Sequence, residues 1–172
     1  NKIILLSHGG AEKNFEIAKK VSGIDIIVTG DSHWLFGVDG MKASGLPMRA
    51  DYPMQFLSPA KEPVYVVEGW EYSKLVGELK VMFDENGIVT AIEGKPHVLV
   101  HDNWFERRDA AKKKYRPEGA EKEEIIAELK KMPFVSFAKA DQEASSILAK
   151  FKQEKETLGK EVVGSITGDV MP

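Results

Sequence analysis

The chain has 172 residues, 42% hydrophobic and 30% charged, enough for one ordinary globular domain or parts of two. Its 24 basic and 27 acidic residues are interspersed and leave a formal net charge of -3, so no charge asymmetry points to a nucleic acid polymer or an anionic lipid surface. Cysteine is absent, which excludes disulfides, and no apolar run is long enough to span a membrane.

In chain order, the first element is a strand, Lys2 to Leu6, that starts at once behind Asn1 without an initiator Met. The chain is therefore read as a fragment, with residues expected upstream. The run Ile3-Ile4-Leu5-Leu6 is short and uniformly apolar, which suits a strand covered on both faces. Ser7-His8-Gly9-Gly10 ends it. Ala11 to Val21 then has apolar residues at Ala11, Phe15, Ala18 and Val21, the spacing of a helix that Ser22-Gly23 stops. A second strand, Ile24 to Thr29, completes a βαβ unit whose strands should be parallel. Both strands then end on one edge of a sheet, and that carboxyl edge is where open α/β sheets bind ligands. His8 follows the first strand, and Asp31 and His33 of "GDSHW" follow the second.

From Phe36 to Ala60 the composition turns to Gly, Pro, Met and Ser, with Pro47, Pro53 and Pro59 spread through it, and a long surface loop is predicted. Val64 to Val67 reads as a strand. Leu75 to Phe83 alternates, with Leu75, Leu79, Val81 and Phe83 on one face, and Asp84-Glu85-Asn86-Gly87 turns it into a partner strand, Ile88 to Ile92. Val98 to Val100 is expected as a further strand. His97 and His101 beside it are read as ordinary surface or turn histidines. Asn103 to Met132 is helical in tendency with a break at Arg116 to Gly119, and Lys112-Lys113-Lys114 is read as a solvated face. A longer helix is predicted from Lys139 to Leu158, with a stripe of Ala144, Ile147, Leu148 and Phe151 and a stop at Gly159. Val162 to Ile166 looks like the first strand of another unit.

Taken singly, a His or Asp at a strand end is ordinarily a turn former or a cap. Together, two imidazoles and a carboxylate on one rim match the mixed nitrogen and oxygen ligation of Mn, Zn, Fe or Mg in hydrolytic sites. An extended backbone between Asp31 and His33 would aim both side chains at one centre.

"IILLSHGG…IAKKVSGIDIIVTGDSHW" resembles the latter half of the calcineurin-like metallophosphoesterase domain in the 5'-nucleotidase family, which includes UDP-sugar hydrolases and 2',3'-cyclic nucleotide phosphodiesterases. "VYVVEGWEYSKLVGELKVMFDENG" resembles the family's strands beyond the loop. The resemblance covers residues 1 to about 100 well and the rest loosely. It implies an α/β chain forming part of a four-layer α/β/β/α metallophosphoesterase fold. On this reading 1–132 is the C-terminal part of the catalytic domain, 133–158 a linker helix region and 159–172 the start of a C-terminal substrate-binding domain.

The resemblance also implies two divalent metal ions, Mn, Zn, Mg or Co, and hydrolysis of a small-molecule nucleotide or phosphoester. His8 matches a ligand of one metal, and His33 matches the second ligand of the family's Gly-His-x-His/Gln motif, which serves the other. Asp31 stands where that motif has its first His. A carboxylate there makes the site harder and favours Mn or Mg over Zn. The family's catalytic residues and its remaining ligands are expected upstream of Asn1, and its aromatic base clamp beyond Pro172. A periplasmic or cell-surface location is implied in the same way. Two other readings stay open on this scaffold: a thiosulfohydrolase-like enzyme of sulfur oxidation, and a non-catalytic binding protein that kept the fold.

Overall fold

Strand β1 (Ile4–Ser7), helix α1 (Ala11–Lys20) and strand β2 (Ile26–Thr29) form the expected βαβ unit, and β1 and β2 pair in parallel with Leu5 opposite Ile27 and Ser7 opposite Thr29. This is a computed structural model that describes residues 1–101, 106–161 and 164. Its chain divides into two units, Asn1–Ala138 and Lys139–Pro172.

In the first unit, strands β3 (Leu35–Gly37), β4 (Met48–Asp51), β5 (Met54–Leu57) and β6 (Pro63–Glu68) follow β2. The main sheet has the order β1-β2-β6-β5, with β6 parallel to β2 and β5 antiparallel at the edge. Leu5, Ile27, Val66 and Met54 stand opposite one another in register, and period-two alternation puts them on one face. There they meet α1, whose Ala11 and Ala18 are fully buried and whose Phe15 packs on Trp34, Phe36 and Phe56. Val21 departs from the predicted stripe. The helix stops at Lys20, Val21 turns to an extended conformation, and its side chain is 44% exposed.

The predicted surface loop from Phe36 to Ala60 is incorrect. It contains β4, β5 and most of β3, with β3 and β4 paired in parallel, and Phe36 and Met41 are fully buried. The prolines explain the misreading. Pro47 immediately precedes β4, Pro53 lies between β4 and β5, and Pro59 follows β5, so each punctuates strands instead of preventing them.

A second sheet, in the order β11-β8-β7, is built from β7 (Leu75–Phe83), β8 (Val89–His101) and β11 (Val135–Ala138). The β7–β8 hairpin forms as read, and Asp84 organises its turn by accepting from the Asn86 and Ile88 amides at 2.9 and 2.8 Å. Val98 to Val100 is the far end of β8, not a separate strand. Pro96 is accommodated because β11 pairs with β8 only from Val98 onward, leaving the proline without a neighbour on that side. His97 and His101 are likewise strand residues, and His97 Nδ1 lies 3.0 Å from Ser136 Oγ.

Between β8 and β11 the helical expectation is half met. A short hairpin, β9 (Arg107–Arg108) with β10 (Lys114–Tyr115), precedes α2 (Gly119–Lys130). The Asp109 carboxylate caps the hairpin's turn by accepting from the Lys113 amide at 2.9 Å, and Lys112 to Lys114 are exposed as read. Asn103 to Phe105 lie outside the described residues.

In the second unit α3 (Gln142–Leu158) starts at an Asp141 cap that accepts from the Ala144 amide at 2.8 Å, and Gly159 follows its last turn. Its apolar stripe is exposed at Ile147, Leu148, Phe151 and Leu158. The strand expected at Val162 to Ile166 lies, apart from Gly164, outside the described residues. No helix among the described residues is long and apolar enough to cross a membrane.

Candidate metal centre

The parallel pairing of Ser7 with Thr29 delivers His8 and Gly30 side by side at the carboxyl edge of the main sheet. Two backbone bonds latch the segments together: the Gly30 amide donates to Ser7 at 3.1 Å and the Gly10 amide donates to Gly30 at 3.0 Å. His8 and Asp31 meet there, Nε2 to Oδ1 at 3.6 Å, with side chains 85% and 61% exposed. Two glycines flank the pair, and a Cβ on either would stand in ordinary van der Waals contact, 3.4 Å from His8 Nδ1 for Gly30 and 3.9 Å from Asp31 Oδ2 for Gly10. Gly10 also has φ 79°, which side-chain-bearing residues rarely adopt.

His33 goes elsewhere. The extended backbone that would converge Asp31 and His33 is not present: both residues are left-handed, with φ 83° and 56°. Their side chains diverge. His33 Nδ1 faces Glu71 Oε2 at 3.3 Å, and its ring stands edge-on to Tyr72 with centroids 5.3 Å apart. The Lys74 ammonium, hydrogen-bonded to Glu71, holds that carboxyl below the usual carboxylate range, with the nearby His33 contributing in the same direction. The segment carrying Glu71 is unusual in its backbone, with positive φ at Trp70, Tyr72 and Ser73. Among the described residues, no group of three His, Asp or Glu side chains converges on one point.

Beneath the rim lies a set of polar residues that sequence reasoning missed. Glu68, at the end of β6 and 1% exposed, accepts from the Ser32 hydroxyl at 2.6 Å and from the Trp34 amide at 3.0 Å. Ser32 Oγ accepts from the Ala11 amide at 3.0 Å, so it caps α1 in place of the side chain that Gly10 lacks. Buried Asn14 donates to the Gly10 carbonyl at 2.7 Å and to Thr29 Oγ1 at 2.8 Å, while its Oδ1 is buried without a partner. The signal for Glu68 was its place, an acid closing the apolar strand Val64 to Val67.

The His8 and Asp31 donors suit a divalent cation in kind and stand slightly wider than adjacent ligands do. Adjacent ligands of a tetrahedral or octahedral ion with bonds near 2.1 Å lie roughly 3.0–3.4 Å apart, and the pair's 3.6 Å is close to that edge.

No family model matches the chain. It is 48% identical over 171 residues to a "Probable 5'-nucleotidase" of Treponema pallidum, across 99% of this chain and 29% of that protein. It is 44% identical over 172 residues to the NAD 5'-nucleotidase of Haemophilus influenzae, across 100% of this chain and 28% of that protein. The solved NAD nucleotidase of Haemophilus influenzae matches all of this chain, and 30% of its own, with a TM-score of 0.88 at 45% identity. A 5'-nucleotidase precursor from Thermus thermophilus matches 57% of this chain, and 19% of its own, with a TM-score of 0.54 at 37% identity. The chain thus spans less than a third of the length of each of these proteins. Along its whole length it corresponds to a segment of the 5'-nucleotidase family and carries that part of the family's metallophosphoesterase fold.

Proposed function

We propose that the protein to which these residues belong is a divalent-metal-dependent hydrolase of nucleotide phosphoesters, and that this chain supplies part of its metal centre. The observation that carries the reading is the His8 and Asp31 pair, two exposed donors 3.6 Å apart on the carboxyl rim of a parallel sheet. His8 and Asp31 would hold one cation. His33 would serve the second through Nε2, with Nδ1 turned to Glu71 at 3.3 Å, the outer carboxylate that commonly orients a ligating imidazole.

When bound, paired cations lower the pKa of a water and polarise phosphoryl oxygens. The chain's own part is to present one hard oxygen and two imidazole nitrogens from a rigid sheet edge. A hard oxygen at Asp31 points to Mn or Mg. Similarity to an NAD 5'-nucleotidase supports NAD or a nucleoside monophosphate such as AMP as substrate. Export to the periplasm or cell surface belongs to the same proposal.

The test is release of phosphate and adenosine from AMP, and of AMP and nicotinamide mononucleotide from NAD, by the full-length protein, before and after chelation. Hydrolysis that EDTA abolishes and Mn restores is the expected result. Turnover indifferent to chelation, or no turnover of either nucleotide with any of Mn, Mg, Zn or Co, would overturn the reading.

A further inference from the structure

We infer that Glu68 is a positioning residue for the candidate metal centre, holding the Asp31 to His33 turn in the conformation that presents its donors. The inference rests on the metal-centre reading above. A carboxyl group is rarely fully buried without a partner, because leaving water is costly. Glu68 is 1% exposed, and each of its oxygens takes one bond from the turn, Oε2 from the Ser32 hydroxyl and Oε1 from the Trp34 amide.

The two anchor points bracket His33 and adjoin Asp31. Ser32 lies between Asp31 and His33, both in the left-handed region, and Trp34 follows directly. Side-chain-bearing residues keep such angles only where the surroundings impose them. One buried acid gripping residues 32 and 34 is that constraint. The placement of Glu68 fits the task, since in register it stands opposite Thr29, the last residue of β2 before the turn. Ser32 Oγ also accepts from the Ala11 amide at 3.0 Å, so one hydroxyl ties the turn to both β6 and α1. The loss of either Glu68 or Ser32 frees the turn to swing its donors away from a cation.

Cobalt(II) binding by the full-length protein tests this, because the ion's visible absorption reports donor geometry and a titration reports affinity. Glu68→Gln keeps the size of the side chain and the acceptor for the Trp34 amide, but it removes the charge and leaves the Ser32 hydroxyl facing an amide nitrogen that can only donate, so two charge-assisted bonds become at most two weaker neutral ones. Outer-shell losses of this kind typically weaken metal binding about tenfold to hundredfold. That loss is expected here, with an altered cobalt band, a lower kcat, a KM for AMP close to wild type and a circular dichroism spectrum unchanged. Ser32→Ala should move the same readouts in the same direction, and the double variant should add little beyond Ser32→Ala, which already removes the shared bond to Glu68 together with the one from the Ala11 amide.

A folded Glu68→Gln protein with the wild-type cobalt band and affinity overturns the inference, even if its melting temperature falls. Should Glu68→Gln fail to fold, Ser32→Ala decides alone, and an unchanged cobalt affinity in it is equally fatal. No cobalt binding by the wild type overturns the metal-centre reading first and this inference with it, a result distinct from the other two.

Discussion

If Asp31 stands where the 5'-nucleotidase motif has histidine, as the resemblance implies, the sheet rim offers a cation a carboxylate in its place, and the left-handed backbone at Asp31 decides how that can be tested. Its φ of 83° is one that Asn and Asp tolerate better than Ala does. Asp31→Asn therefore removes the charge with little strain, and a loss of metal in it is chemical rather than conformational. If Asp31 is a ligand, Asp31→Asn is expected to lower Mn occupancy at least about tenfold and Asp31→Ala more. Asp31→His should retain activity with a preference moved toward Zn or Co, because imidazole is the softer donor. Metal analysis and kcat on the three variants check this. Wild-type occupancy in both Asp31→Asn and Asp31→Ala would leave Asp31 as a turn former only. At this scale His8, Asp31 and His33 were visible in the sequence because polar residues stand out behind apolar strands. Their geometry was not, since nothing in "GDSHW" signals positive φ at an Asp and a His. Glu68 and Glu71 were invisible as partners because their contacts, 36 and 38 positions from Ser32 and His33 in the chain, arise only when β6 and its following loop come alongside.

Among the elements, Tyr52 is one of the side chains through which the core under α1 meets the second sheet. Tyr52 is 7% exposed and belongs to the core under α1, and it lies across glycines of the β7–β8 hairpin. A Cβ on Gly77 would come 2.1 Å from the Tyr52 hydroxyl oxygen, and one on Gly94 would come 2.6 Å from Pro53 Cδ and 2.8 Å from Tyr52 Cδ1. Gly77→Ala is expected to destabilise the fold by about 1–3 kcal/mol through overpacking, measured by denaturant midpoint. Burial also pushes the Tyr52 hydroxyl up to about 12. Between pH 10 and 12 the unfolded chain would release this proton while the folded chain keeps it, so stability should fall as pH rises through that window and be unaffected below it. Two pH units correspond to roughly 2–3 kcal/mol. Tyr52→Phe should flatten that part of the stability curve relative to wild type, and parallel curves for the two proteins would remove Tyr52 from the account. The βαβ unit and the hairpin were legible because each has a local signature, an apolar run or an Asp-to-Gly turn. The Phe36 to Ala60 segment was not, because its strands pair with β6 and with each other across turns that look, in composition, like loop.

For the molecule as a whole, two observations bear on how these 172 residues behave alone. Parallel sheets are ordinarily covered on both faces. Here α1 covers one face, while on the other Ile4 is 61%, Leu6 77% and Val28 39% exposed on the β1–β2 side. The candidate metal site has the same character. His8 and Asp31 make one pair, His33 turns to Glu71, and among the described residues no third carboxylate or imidazole completes a cluster. Relatives that match the chain end to end are more than three times its length, so other parts of such a protein can supply both the cover and the remaining donors. The 172-residue chain expressed by itself is therefore expected to self-associate through the exposed β1–β2 face, to bind Mn only weakly, and to release no phosphate from AMP. Light scattering, a Mn titration and a phosphate assay check these three outcomes separately. Introducing charge at Leu6 and Val28 should restore a monomer without creating metal affinity, since the bare face and the incomplete donor set are independent defects. Metal-dependent hydrolysis of AMP by the isolated chain would show that His8, Asp31 and His33 suffice for catalysis without donors from other parts of the protein.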